Sequence, residues 1–191
     1  MSKKYELTET TKEYFGITLY QIKALRDIEE HEIEEGELGG WIANEKNLEQ
    51  DGNAWVYGNA QVYGNAQVSG NAWVSGDAQV SGNARVYGNA WVSGDAQVSG
   101  DAQVSGNAQV SGDARVETRR HVFWSSSVGS ESGTLTAYTN KTGAIEVTRG
   151  CFRGSLDEFE EKVKSRHGES RHAEEYLVLI QYIRLRFREA R

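Results

Sequence analysis

The amino-acid sequence predicts a mainly β protein, in which a three-sided parallel β-solenoid follows a β cap and precedes a β-hairpin with two α-helices. Three observations predict this fold. Eleven hexapeptides run without a gap through residues 51–116, and the stretch before them alternates apolar and polar residues as short strands do. Residues 155–190 carry apolar side chains at helical spacing.

The hexapeptides share one pattern: Val at every sixth position, Ala two residues before each Val, and Gly-Asn or Gly-Asp before each Ala. Alternate side chains of a strand point to opposite sides, so Ala and Val point inward and the residue between them points outward. Gly followed by Asn or Asp tolerates the backbone angles of a tight corner. One strand and one corner every six residues predict three faces and a coil of about eighteen residues.

The chain divides into three parts: an N-terminal β cap with a degenerate first coil over residues 1–50, the solenoid over residues 51–128, and the hairpin with two helices over residues 129–191. Val122 and Val128 keep the spacing of the repeats, so the solenoid is predicted to extend through them.

The cap is predicted to contain short strands over residues 5–9, 12–16 and 17–25, with a turn at Phe15-Gly16. Ile42 and Leu48 have the hexad spacing and are assigned to the first coil, although two inserted residues separate them from the register of Val56. The acidic stretch over residues 27–37 is interpreted as a solvated loop.

The C-terminal part is predicted to form a hairpin around residues 140–143, followed by a helix that the capping box of Ser155 and Glu158 opens. A second helix over residues 173–190 should bury one side against the hairpin and another against a partner or the solenoid end. Its apolar residues are assigned to a binding or oligomer interface: Tyr176, Leu179, Ile180, Ile183 and Phe187.

Columns taken every eighteen residues show what each solenoid face displays. The outward column of the first face reads Trp55, Trp73, Trp91 and Gln109, with Tyr57 beside it, whereas no other face carries Trp. An exposed aromatic strip of this kind usually marks an interface. Self-association as a dimer or trimer is the leading interpretation; a foreign partner, or packing under the terminal segments, is the alternative.

The sequence offers two weaker candidate sites. Asp77, Asp95 and Asp113 stack at one corner and are weak candidates for a cation site. Hard cations need several convergent oxygens for each ion, so no metal or other cofactor is predicted. His121, in the outward position of a late hexad, is the best candidate for a catalytic base, although a surface role explains it better.

Composition narrows the partners and the compartment. A net charge of −7 disfavours nucleic acid as a partner, and the longest apolar run is too short to span a bilayer. Cys151 is the single cysteine, which excludes an intramolecular disulfide and fits a reducing compartment. We therefore expect a cytoplasmic protein, in the host cytoplasm if a phage encodes it.

The repeats resemble the left-handed parallel β-helix of the hexapeptide-repeat superfamily, in which an aliphatic residue is followed four positions later by a small one, as in Val56 and Ala60. This resemblance implies a left-handed coil. Because many members of the superfamily are acyltransferases, it also raises an enzymatic alternative, in which His121 would be the base.

Residues 134–168 and the cap sequence YELTETTKEYFGITLYQIKAL are similar to uncharacterised hexapeptide-repeat proteins of phages and prophages. This resemblance implies a small accessory protein, with inhibition of host defence as one role. The leading hypothesis is a non-enzymatic, homo-oligomeric scaffold that binds a host protein or a small signalling ligand. An acyltransferase and a purely structural virion or scaffold component are the alternatives.

Overall fold

The structure is a computed structural model and describes residues 3–188. Its central part is a β-solenoid of about four coils, in which every hexapeptide contributes one two-residue strand. These strands are Trp55–Val56 (β4), Gln61–Val62 (β5), Gln67–Val68 (β6), Trp73–Val74 (β7), Gln79–Val80 (β8), Arg85–Val86 (β9), Trp91–Val92 (β10), Gln97–Val98 (β11), Gln103–Val104 (β12), Gln109–Val110 (β13) and Arg115–Val116 (β14).

The strands stack into three parallel sheets, which confirms the three-sided solenoid. Face 1 contains β4, β7, β10 and β13, face 2 contains β5, β8, β11 and β14, and face 3 contains β6, β9 and β12. Register places Trp73 between Trp55 and Trp91, which confirms the predicted coil length. The Ala and Val side chains of the hexads fill one continuous buried core.

The corners depend on glycine for two reasons. Corner glycines such as Gly94 have a positive φ, a conformation that L side chains rarely adopt. In addition, a Cβ on Gly94 would lie 2.8 Å from the backbone nitrogen of Gly112, one coil further on. The Asn side chains that follow form hydrogen-bonded ladders, in which Asn71 donates from Nδ2 to Oδ1 of Asn89 at 3.1 Å.

The N-terminal cap continues the sheet of face 2. It contains strands Tyr5–Tyr14 (β1), Ile17–Ala24 (β2) and Leu38–Ile42 (β3), with β1 and β2 antiparallel and β3 parallel to β5. Leu48 forms a parallel bridge with Val68, so the assignment of Ile42 and Leu48 to a first coil is confirmed.

Two predicted cap strands are in fact one. β1 runs from Tyr5 to Tyr14. Its pairing with β2 is irregular between Leu7 and Thr11 and resumes at Thr11, so the strand continues through both predicted segments. The predicted turn is confirmed, since Phe15 and Gly16 both have positive φ between the two strands.

The prediction that the solenoid register extends through Val122 and Val128 holds for the buried core as far as Val122 and is wrong for Val128. The last parallel strand ends at Val116, a 3-10 turn covers Arg119–His121, and the next strand, Val122–Val128 (β15), pairs antiparallel with the strand that follows it. Arg120 occupies the slot that Ala fills in each repeat, and a guanidinium does not suit the narrow apolar interior. Val122 still packs on the solenoid core, whereas Val128 belongs to the C-terminal core.

The C-terminal unit is a sheet with two helices on it. Its strands are β15, Gly133–Thr139 (β16), Ile145–Arg149 (β17) and Phe152–Ser155 (β18), and its helices are Leu156–His167 (α1) and Arg171–Arg188 (α2). The predicted hairpin is therefore the central pair, β16 and β17, of a four-stranded antiparallel sheet. The last residues of the predicted second helix, 189–190, lie outside the described residues.

The C-terminal unit closes the solenoid end. Tyr138 of β16 is fully buried, and its side chain packs in the solenoid core. Gln109 of β13 donates its N–H to Oγ1 of Thr136 at 3.0 Å and accepts from Oγ1 of Thr148 at 2.9 Å. The last edge of face 1 is thus covered rather than left open for another chain.

Neither described helix has the length and apolar character needed to cross a membrane.

Candidate functional site

The tryptophan column of face 1 changes from buried to exposed along the solenoid. Trp55 is fully buried beneath the cap, with the ring of Tyr5 edge-on at 6.4 Å and Gly39 so close that a Cβ there would lie 2.8 Å from the indole. The prediction that Trp55 lies on an exposed wall is therefore wrong. The residue points outward from the solenoid, but the cap covers it.

Trp73 is half-buried because the acidic loop lies over it. The ring of His31 lies 4.7 Å from the Trp73 ring, and Tyr57 stacks on Trp73 at 5.5 Å with an interplanar angle of 27°. Burial lowers the pKa of His31, which favours the neutral imidazole on the indole face. Residues 27–37 are thus not simply a solvated loop, because His31 in the middle of this segment forms a lid over Trp73.

Trp91 is the exposed member of the column, with 48% of its surface accessible. Its ring meets Trp73 edge-on at a centroid distance of 6.3 Å, and Tyr57 is also exposed, at 39%. These three residues, Tyr57, Trp73 and Trp91, form what we call the aromatic patch. The patch is an apolar area on a flat sheet, held by ring contacts within it.

Exposed carboxylates neighbour the aromatic patch in the acidic loop and at the solenoid corners. Glu29 and Glu30 precede His31 in the lid and Glu32 follows it, and all three are exposed. Asp77 and Asp95 are exposed at the corners that follow Trp73 and Trp91. The patch therefore combines an apolar centre with an acidic rim, which favours positively charged groups in its surroundings.

The corner carboxylates do not assemble a metal site. Asp77 accepts from Nδ2 of Asn59 at 3.1 Å, and Asp113 pairs with Nζ of Lys141 at 2.9 Å. The hydrogen bond from Lys141 lowers the pKa of the Asp113 carboxyl. Within residues 3–188 no group of three or more His, Cys, Asp or Glu side chains could hold a metal ion.

His121 does not occupy the outward position of a regular hexad, so that prediction is wrong. It ends the 3-10 turn that Thr118 caps, and its Nδ1 accepts the backbone N–H of Glu117 at 3.2 Å. Since the solenoid register has already ended, His121 stabilises a turn at the boundary with the C-terminal unit.

The apolar residues assigned to an interface on the second helix lie mostly inside the C-terminal core. Tyr176, Ile180, Ile183 and Phe187 are buried against the sheet and α1, and Leu179 is half-buried beside them. Their assignment to an intermolecular interface is therefore corrected. The exposed apolar residues of α2 are Val178, Tyr182 and Leu185. The helical spacing of the apolar residues distinguishes the buried side of α2 from the exposed side, so the sequence could have predicted this division. The contact of His31 with Trp73 could not be predicted, because no local pattern in the sequence indicates it.

The solenoid repeats match a known repeat family. Residues 60–76, 78–94, 102–116 and 108–122 match the family described as the YdcK beta solenoid repeat. The matched stretches cover less than half of the chain, so the similarity describes the repeats and not the whole protein. No curated protein matches the chain.

Proposed function

We propose that this β-solenoid is a non-enzymatic binding protein that captures a basic segment of a partner protein on the aromatic patch. The observation that carries the proposal is the 48% exposure of Trp91, an aromatic anchor on a rigid sheet next to Trp73. Tryptophan is among the residues most enriched at interface anchors, and an aromatic face on a preformed sheet loses little conformational freedom on binding.

The acidic rim favours a basic partner over other proteins. Lys and Arg side chains bind over indole faces by cation–π contact, and the carboxylates of Glu29, Glu30, Asp77 and Asp95 are available for ion pairs around the anchor. Nucleic acid does not fit this rim, because phosphates would be repelled by the same carboxylates.

The repeat pattern supplies a substitution that removes the anchor without disturbing the fold. Most hexads carry Gln where face 1 carries Trp, so Trp91→Gln converts the patch to the common residue of the other faces. Arg85→Gln places Gln at the corresponding outward position of face 3 and is the control.

Titration with two synthetic peptides of equal length and equal Leu content, one rich in Lys and Arg and the other in Glu and Asp, tests the charge preference. We expect the basic peptide to quench Trp fluorescence in wild type and in Arg85→Gln, and to bind at least tenfold more weakly to Trp91→Gln. Equal binding of both peptides, or undiminished binding to Trp91→Gln, would exclude the aromatic patch as the site.

The finer part of the proposal is that the partner is a host protein, as the resemblance to phage and prophage hexapeptide-repeat proteins implies. Affinity capture from lysate of the native host, run in parallel with wild type, Arg85→Gln and Trp91→Gln, tests it. A specific partner is retained by the first two proteins and lost with Trp91→Gln. Identical captured proteins from all three would contradict the proposal.

A further inference from the structure

Helix α2 presents two apolar faces. The chain covers the inner one, whereas the outer one is largely exposed and touches the chain where the Tyr182 ring lies 5.0 Å from that of Phe123. The inner face packs in the C-terminal core through residues such as Ile180 and Ile183. On the opposite side Val178 is 65% exposed, Leu185 is 63% exposed and Tyr182 is 45% exposed. We call Val178, Tyr182 and Leu185 the outer stripe. Their spacing of four and three residues places them on one side of the helix.

Charged residues of opposite sign end the outer stripe. Glu174 lies one turn before Val178, and Arg188 lies one turn after Leu185, and both are exposed. Within residues 3–188 neither of them forms an ion pair. The neighbouring charged residues, in contrast, form ion pairs within the chain: Glu175 lies within ion-pair distance of Arg171, and Arg184 pairs with Asp157 at 2.7 Å.

A helix face that carries an acidic residue, then apolar residues, then a basic residue is complementary to the same face of a second copy that runs in the opposite direction. When two such helices lie antiparallel about a twofold axis, Glu174 of each faces Arg188 of the other, Val178 faces Leu185, and the two Tyr182 rings lie near the axis. A twofold interface of this kind is isologous, so each favourable contact occurs twice. A partner other than a second copy would have to reproduce this order of charge and apolar side chains.

We propose that the outer stripe of α2 is the interface with a second copy of this chain, paired antiparallel. The inference does not rest on the proposed function, because the aromatic patch lies on the solenoid and α2 belongs to the C-terminal unit. A dimer formed this way carries two aromatic patches, so a partner with two basic segments would bind with increased avidity.

Sedimentation velocity over a concentration series tests the dimer, with the charge reversals Glu174→Arg and Arg188→Glu as probes. Each single reversal brings like charges together twice and should weaken dimerisation about tenfold. The double reversal restores both pairs and should return the dimer affinity toward that of wild type.

The double reversal separates pairing from helix stability. Both single exchanges oppose the helix dipole, so the melting temperature should fall further in the double variant even as the dimer returns. Loss of the dimer in the double variant as well as in the single ones would show that only helix stability had changed, and would overturn the antiparallel pairing.

Cysteine crosslinking tests the orientation. In a Cys151→Ser background, a mixture of Val178→Cys and Leu185→Cys proteins should form disulfide-linked heterodimers in preference to either homodimer. A preference for homodimers would overturn the antiparallel arrangement.

The substitution Leu185→Asp tests whether the dimer interface lies on the outer stripe. Lys162→Glu, at an exposed position of α1, is the control. We expect Leu185→Asp to be monomeric throughout the concentration range and Lys162→Glu to dimerise as wild type. A wild-type monomer at every concentration, or a dimer that survives Leu185→Asp and is lost in Trp91→Gln, would overturn the proposal.

Discussion

Lys4 holds an amine in a fully buried position of the cap. Its Nζ donates to the carbonyl oxygen of Ala54 at 2.7 Å, and no part of the residue is accessible to solvent. Burial, and secondarily the charge of Arg26, lowers the pKa of Lys4 from 10.5 to about 8. The protonated form is therefore disfavoured in the folded state but not in the unfolded state.

This pKa shift predicts that stability rises with pH between about 8 and 10.5. Below that window both states hold the proton and the cost of burying the charge is fully present; within it the folded state releases the proton first. The total is about 3 kcal/mol, at about 1.4 kcal/mol per pKa unit. Denaturant unfolding of wild type and Lys4→Met at several pH values measures it.

The comparison with Lys4→Met removes the contributions of all other titrating groups. We expect the stability of wild type to increase relative to Lys4→Met as the pH rises through the window. Parallel stability curves for the two proteins would show that the Lys4 amine titrates in the folded state as it does in the unfolded chain.

Two corner glycines of one column differ in how closely the next coil approaches. A Cβ on Gly58 would lie 3.8 Å from its nearest neighbour, whereas a Cβ on Gly94 would lie 2.8 Å from the backbone nitrogen of Gly112. Both have positive φ, so each Ala substitution costs about 1–2 kcal/mol for the conformation alone. Gly94→Ala should be the more destabilising variant by thermal unfolding, because it also displaces backbone. Equal losses would mean that conformation alone determines the cost.

At the scale of single elements, the cap divides the tryptophan column into a structural and an exposed part. Trp55→Gln should lower the free energy of unfolding by about 3 kcal/mol or more, because it empties a buried aromatic site. Trp91→Gln makes the same chemical exchange at an exposed site, and its effect should stay within about 0.5 kcal/mol. Chemical denaturation of both variants measures the difference; similar losses would contradict the burial of Trp55 by the cap.

Helix α1 depends on its capping box. Oγ of Ser155 accepts the N–H of Glu158 at 3.2 Å, and the Glu158 carboxylate accepts the N–H of Ser155 at 2.7 Å. Ser155→Ala should cost about 1 kcal/mol, whereas Ser165→Ala, at an exposed interior position of α1, should be nearly neutral. Thermal melts of the two variants provide the check, and a cost for Ser165→Ala equal to that of Ser155→Ala would show that the box is unimportant.

At the scale of the whole molecule, the solenoid is an array in which each coil contacts only its neighbours. Duplicating residues 81–98 adds eighteen residues, or one coil, so every later column stays on its own face. The inserted coil lies between the cap contact of Tyr14 with Gln79 and the C-terminal contact of Gln109 with Thr136, and it interrupts neither. We expect a folded protein with a larger unfolding enthalpy by calorimetry.

A duplication of residues 82–98, one residue shorter, is the control for this experiment. It inverts the inward and outward positions of all later strands and should not fold to a cooperative structure. Equal behaviour of the two duplications would show that the column register does not determine the fold.

Local and periodic signals determined the solenoid from the sequence alone. Val at every sixth residue, with Ala and Gly at constant offsets, specified the buried core, the corners and the three faces, because each coil repeats one contact with the next. The capping box of Ser155 and the turn at Phe15-Gly16 were predictable for the same reason, since neighbouring residues form them.

Tertiary structure alone decided which parts of that periodic surface are accessible. The columns placed Trp55, Trp73 and Trp91 together, but the cap buries the first, His31 covers the second and only the third is exposed. Likewise the spacing of Val122 and Val128 fitted the repeat, yet β15 pairs with β16 instead. Such outcomes depend on contacts between segments far apart in the chain, and a periodic pattern carries no information about which distant segment will pack against it.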